Sequence, residues 1–273
     1  MFDSHVHYDH ESFRDDRNEL LEKMHETGLN YCLNAAIGFD TNEKMMGVFE
    51  KYPWIYYAIG IHPNTVEINE EKDEQYKEKL FMWAQNNKVK AIGETGLDYF
   101  RLEQSGENAL LIDIEKRRKR QKKWFRISLE IAKESGLPVV LHVRGDAHKD
   151  ALQILDACRY DGMRGVIHCF NGSYDVANAY VERGFKIGIG GMITREGMEE
   201  TREAVRKIPL KEILLETDSP FVRPVGMEGK RNTSESLKVI CETVAKIKGV
   251  SEKDVEDVTE ENAKRMFEIS AQE

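Results

Sequence analysis

The stretch LPVVLHVR, residues 137–144, decides how the chain is read. It is a short, almost continuous apolar run, rich in Val and Leu, that breaks at once into polar sequence. A run of this kind reads as a strand buried on both faces, as in a parallel sheet covered by helices. The segment before it, KWFRISLEIAKESG (123–136), is amphipathic at helical spacing, and Gly136 stands where a helix C-cap belongs. Working outward, the same alternation recurs. The other apolar runs are MFDSHV (1–6), LNYCLNAAI (29–37), WIYYAIGI (54–61), VKAIGE (89–94), GVIHCF (165–170), FKIGIG (185–190) and EILLETD (212–218). Helical patterns such as RDDRNELLEKMHETG (14–28), DEQYKEKLFMWAQNN (73–87) and TREAVRKI (201–208) lie between them, and two more, Ser236–Lys248 and Glu252–Phe267, close the chain. Eight strand–helix units predict an α/β fold, a (β/α)8 TIM-type barrel, as a single domain over residues 1–273. The competing arrangement, a doubly wound open sheet, lacks support because no GxGxxG follows the first strand.

A barrel places functional groups at the C-terminal ends of its strands. His5 and His7 end the first run, His62 the third, Glu94 the fourth, His142 the fifth, His168 the sixth and Asp218 the eighth. A lone histidine at a strand end is ordinarily a packed or loop residue, but five histidines and two carboxylates on one rim form a cation-binding constellation. His5 and His7, two residues apart on an extended segment, are expected on one face, with Asp3 beside them. Four imidazoles and two carboxylates exceed one tetrahedral zinc site and suit two adjacent divalent ions sharing a carboxylate. Imidazole favours zinc, while the oxygen ligands also admit Mg²⁺ or Mn²⁺. Such a pair supports hydrolysis through an activated water, with a nearby carboxylate as base.

With 273 residues, 40% hydrophobic and 33% charged, the composition is that of a globular protein. The net charge of −9 argues against a protein that coats duplex DNA, but not against contacts to a strand end. Cys32, Cys158, Cys169 and Cys241 form no CxxC pair, and no signal-peptide pattern or transmembrane-length run is present. These features predict a cytoplasmic protein without membrane contact, and no protein partner is evident.

The ordered motifs DSHVH, GIHP, IGETGLDY, LPVVLHVR, IHCFNGS and LLETDSP resemble the TatD family of metal-dependent deoxyribonucleases, amidohydrolase-like barrels, over essentially the whole chain. The resemblance implies metal ligands at His5, His7, Glu94, His142, His168 and Asp218. His5, His7 and Asp218 would hold one ion, His142 and His168 the other, and Glu94 would bridge them. It further implies a substrate-binding His62, facing phosphate, and catalytic roles for Glu94 and Asp218, the latter orienting and deprotonating the water. The implied substrate is DNA, cut from a strand end, and single-stranded ends are the expected partner. Amide, lactone or ester hydrolysis on the same metals, including aminoacyl-tRNA deacylation, is the alternative, and a non-catalytic metal-stabilised binding module is a third reading. A carboxylated lysine bridges the metals in many amidohydrolase barrels, and Glu94 in that place leans toward the nuclease.

Other residues carry weaker expectations. Glu216 shares parity with Asp218 and is read as support for the ligands. Arg144, two residues after His142, is placed against substrate phosphate, its alternative being an ion pair with a nearby carboxylate. The stretch Phe100–Arg120 is longer than usual for the family and is expected over or beside the mouth. Its basic run, EKRRKRQKK (115–123), is expected to be a solvated helix face, because no aromatic residue interleaves it. Arg231–Asn232 lacks the proline the family tends to place just after it, which leaves the geometry of that loop open.

Overall fold

A computed structural model describes residues 1–103, 111–229 and 231–270. All eight apolar runs are strands: β1 Phe2–Val6, β2 Tyr31–Ala35, β3 Ile55–Ile59, β4 Val89–Asp98, β5 Val139–Arg144, β6 Gly165–Ile167, β7 Phe185–Ile189 and β8 Ile213–Leu215. They pair in parallel in sequence order, β1 through β8. Beyond β8 the chain returns to β1, where Val6 bridges Ser219, the His7 N–H donates to Ser219 O at 2.7 Å, and the Asp218 N–H donates to His5 O at 2.9 Å. The barrel expected from the alternation is therefore present.

The helices are α1 Arg17–Glu26, α2 Phe39–Phe49, α3 Asp73–Trp83, α4 Tyr99–Glu103, α5 Leu111–Ser135, α6 His148–Ala157, α7 Tyr174–Val181, α8 Glu199–Lys207, α9 Leu237–Lys248 and α10 Glu252–Met266. Two apolar layers result. A large one lies between strands and helices. A smaller one fills the barrel with Leu33, Ala58, Ala91, Val140, Val166 and Leu214, and its floor is Phe2 against Phe267 from the end of α10, ring centroids 5.9 Å apart. With the floor closed by apolar side chains, the polar groups gather at the opposite, C-terminal rim. No helix among the described residues is long and apolar enough to cross a membrane.

Two expectations need correction. Asp3 does not face the rim with His5. The β1–β2 register shifts between Asp3 and Val6, a bulge that breaks the strict alternation of faces. The buried Asp3 carboxylate instead accepts from Thr217 N at 2.9 Å, Thr217 Oγ1 at 2.7 Å and Ser234 Oγ at 2.6 Å, stitching β1 to the segments around α9. The fifth helix begins at Leu111, well before the amphipathic segment 123–136, so the basic run lies inside it. Most of its cations are already engaged. Buried Arg120 makes a two-pronged pair with Asp73 at 2.7 and 2.8 Å, Lys123 pairs with Glu70 and Asp73, Lys122 pairs with Asp150, and Arg118 lies over the Tyr99 ring. Residues 104–110 of the long stretch, expected over or beside the mouth, lie outside the described residues.

Candidate metal centre

β4 carries the centre of the site. Gly93 and Gly96 have φ of +155° and +134°, and a Cβ at Gly93 would sit 2.6 Å from Val140 O. Only glycine allows that path and that approach to β5. The register shifts between Ile92 and Thr95, and the bulge delivers the Glu94 carboxylate, buried, into the mouth. Its two oxygens face different histidines. Oε2 lies 3.3 Å from His5 Nε2 and 3.8 Å from His7 Nε2; Oε1 lies 2.6 Å from His142 Nδ1, 3.6 Å from His62 Nε2 and 3.7 Å from His168 Nε2. Asp218 Oδ1 completes the first group, 3.2 Å from His7 Nε2 and 3.8 Å from both His5 and His168.

Three of the rings have a polar neighbour at the far nitrogen. His7 Nδ1 donates to Ala35 O at 2.7 Å, which leaves the Nε2 lone pair on the centre. His142 Nε2 lies 3.2 Å from Asp98 Oδ2, which leaves Nδ1. His168 Nδ1 lies 2.9 Å from Glu216 Oε1, although off the line of a good hydrogen bond, and leaves Nε2. His62 is different. Its Nδ1 accepts the Asn64 N–H at 3.1 Å, so the neutral ring carries its proton on Nε2 and presents a donor to the centre.

Without a cation this arrangement is electrostatically frustrated. His5 Nε2 and His7 Nε2 are 3.1 Å apart, the His5 and His168 rings stack at 3.5 Å, and His5 Nδ1 is buried without a partner. Burial pushes His5 below the usual histidine range, His168 down to about 4 and His62 down to about 3. Burial also opposes charge on His7, but the Asp218 carboxylate outweighs it and leaves His7 at about 9. Burial would raise Glu94, yet the surrounding imidazoles hold it well below the usual carboxylate range; Asp218 is held at about 2 in the same way. His5, His62 and His168, held neutral, and the ionised carboxylates fit divalent cations, a cation taking the place of the His7 proton. Three donor triads converge here: His5–His168–Asp218, His5–His7–Glu94 and His62–Glu94–His142.

The six residues expected as ligands thus come together, with His62 beside them. Arg144 sits at the edge, donating to Val143 O at 3.0 Å and His168 O at 3.3 Å, and it makes no ion pair among the described residues. Glu216 lies behind His168 and accepts from the Cys169 N–H; its carboxylate occupies the space a side chain at Gly188 would need. Asp218 has φ of +57° and Val222 +48°, a strained turn held by the buried Asn232, whose Nδ2 donates to Thr217 O at 2.8 Å and whose N–H donates to Pro220 O at 3.0 Å. Asn232 thus fixes the loop whose geometry the sequence left open. Asp98 was missed. Counting by twos from Glu94 reaches it, but the fourth strand had been ended at Glu94. Cys169, buried beside His168 and Glu216 in a fourth group of donors, was also missed, since nothing in the motif order marks it.

A model of the TatD-related DNases matches residues 2–268. The chain belongs to that family. Among members of the TatD family, it is 34% identical over 273 residues to the uncharacterised metal-dependent hydrolase YabD of Bacillus subtilis, covering 99% of this chain and all of that one. It is 29% identical over 276 residues to the 3′-5′ ssDNA/RNA exonuclease TatD of Salmonella typhimurium, covering 98% and 99%. In structure it is similar to YjjV, the TatD homologue of Escherichia coli K12, at a TM-score of 0.86 and 27% identity over 99% of this chain and 98% of the other. The TatD-type protein is a metal-dependent hydrolase with candidate metal-binding groups on the rim of its barrel.

Proposed function

We propose that the chain hydrolyses phosphodiester bonds of single-stranded nucleic acid, DNA first, from the 3′ end, with two divalent ions between the rim residues. The observation that carries the reading is the division of the Glu94 oxygens between two histidine groups, as a bridging carboxylate requires. His5, His7 and Asp218 would hold one ion and His142 and His168 the other. Bound there, the ions would lower the pKa of a water and neutralise the charge that develops on the phosphate. Asp218, ionised and at the solvent side of the group, takes the proton of the attacking water. The His62 Nε2–H donates to a non-bridging phosphate oxygen, because its other nitrogen is committed to Asn64. Arg144, in no ion pair among the described residues, supplies a second contact. Few phosphate contacts suffice at a strand end, which fits a net charge of −9. The 3′-5′ polarity is taken from the relative named for that activity.

The test is a panel of Zn²⁺, Mn²⁺ and Mg²⁺ against end-labelled single- and double-stranded DNA and RNA, with a chelated control. Stepwise shortening from the 3′ end of single strands, abolished by chelation, is expected. Turnover of an amide, lactone or ester with no cleavage of any nucleic acid would overturn the reading.

A further inference from the structure

Among the described residues two phenyl groups are exposed, Phe100 and Phe221, and Phe221 is the one whose ring packs on a candidate ligand. Phe221 follows Asp218 by three residues, is 43% exposed, and sets its ring edge-to-face with His7 (centroids 5.9 Å) and His10 (5.4 Å). A phenyl group left in water costs stability that a polar residue would not. Its backbone is also unusually constrained. The Phe221 N–H donates to Asp218 O at 2.7 Å, and the next residue, Val222, packs its carbonyl where a side chain at Gly191 would stand. Val225 N–H donates to Thr194 Oγ1 at 2.9 Å, tying the loop after β8 to the loop after β7. The ring is therefore held by a rigid loop and presented beside a metal-binding residue.

These neighbouring loops also carry Arg195 and Arg223, and neither is ion-paired among the described residues. The loop after β3 carries Glu67, Glu70 and Glu71, of which Glu70 pairs with Arg120 and Lys123.

We infer that Phe221 is the platform on which the terminal base of the nucleic-acid substrate stacks while its phosphate is held at the centre. The inference rests on the nuclease reading and adds to it a requirement for an unpaired base. A base in a duplex is already stacked and cannot lie on the ring without unpairing. Stacking on an aromatic face tolerates every base and asks only for a π surface.

The test uses the metal-loaded protein and short single strands that end, at the digested terminus, in adenine or in an abasic nucleotide. The wild-type kcat/KM is expected to favour the adenine end by roughly five- to a hundredfold. In Phe221→Ala the preference should collapse toward one, and in Phe221→Trp it should return. Metal content is measured in each variant, because the ring touches His7. A second readout needs no turnover. Trp54, Trp83 and Trp124 are buried, so an indole at position 221 is the one a phosphorothioate-terminated strand should quench. A wild-type protein that digests both ends equally well would overturn the inference and leave the nuclease reading intact. So would an undiminished preference in Phe221→Ala with normal metal content. A wild-type protein that cleaves no nucleic acid overturns both.

Discussion

At the scale of the residue, the function turns on which nitrogen or oxygen each side chain leaves free. His7, His142 and His168 are each engaged at one ring nitrogen and turn the other to the centre, whereas His62 turns an N–H. Asp218→Asn tests the most consequential of these assignments. The amide keeps the shape but cannot take a proton, and loss of a general base costs on the order of 10²–10⁴ in rate. Steady-state kinetics with metal content measured in parallel should show that fall even where the ions are retained; near-normal turnover with normal metal would move the base elsewhere. The candidate ligands were legible in the sequence, because each stands at the end of an apolar run. The residues that aim them were not. Asp98 lies two strand positions beyond Gly96, in a continuation of β4 made possible by backbone angles that only glycine adopts readily.

At the scale of the element, apolar runs were more legible than polar helices. Parallel strands write themselves as continuous hydrophobic segments. α5 opens on Leu111, Ile112 and Ile114 but then carries nine residues, 115–123, with no apolar side chain, so no continuous apolar stripe led back from Trp124 to its start. Asp3 misled for another reason: strict alternation holds only until a bulge shifts the register, and bulges are not written in a pattern of alternate residues. The basic run separates two roles that sequence alone could not divide. Arg120 is buried against Asp73 and also donates to Glu67 O at 2.8 Å, so Arg120→Ser should cost on the order of 3 kcal/mol in urea unfolding by leaving Asp73 with a missing partner. Lys116, Arg117 and Lys119 are exposed. Replacing those three with Ser should leave the salt dependence of single-strand binding unchanged. A slope flattened by about 0.7 per residue removed would instead make α5 a nucleic-acid arm.

At the scale of the whole molecule, the barrel separates stability from chemistry. The floor is apolar and closed by α10, while the rim buries imidazoles and carboxylates together, with the His5 and His7 Nε2 atoms 3.1 Å apart in a geometry that a cation between them would satisfy. Ion binding should therefore stabilise the fold as well as support turnover. A ligand at a hundred times its Kd contributes about 2.7 kcal/mol, which for a chain of this size corresponds to a rise in Tm of roughly 5–10 °C. Calorimetry of the chelated and reloaded protein should show that difference, with no change in secondary structure. An unchanged Tm would argue that the rim groups neutralise one another without metal. The central claim is that Glu94 joins two ions in one centre, and elemental analysis of wild-type, His142→Ala and Glu94→Ala protein tests it most directly. The account predicts up to two divalent ions per chain in the wild type, preferential loss of the second in His142→Ala, and weakened binding of both in Glu94→Ala; retention of both ions by folded Glu94→Ala would contradict it.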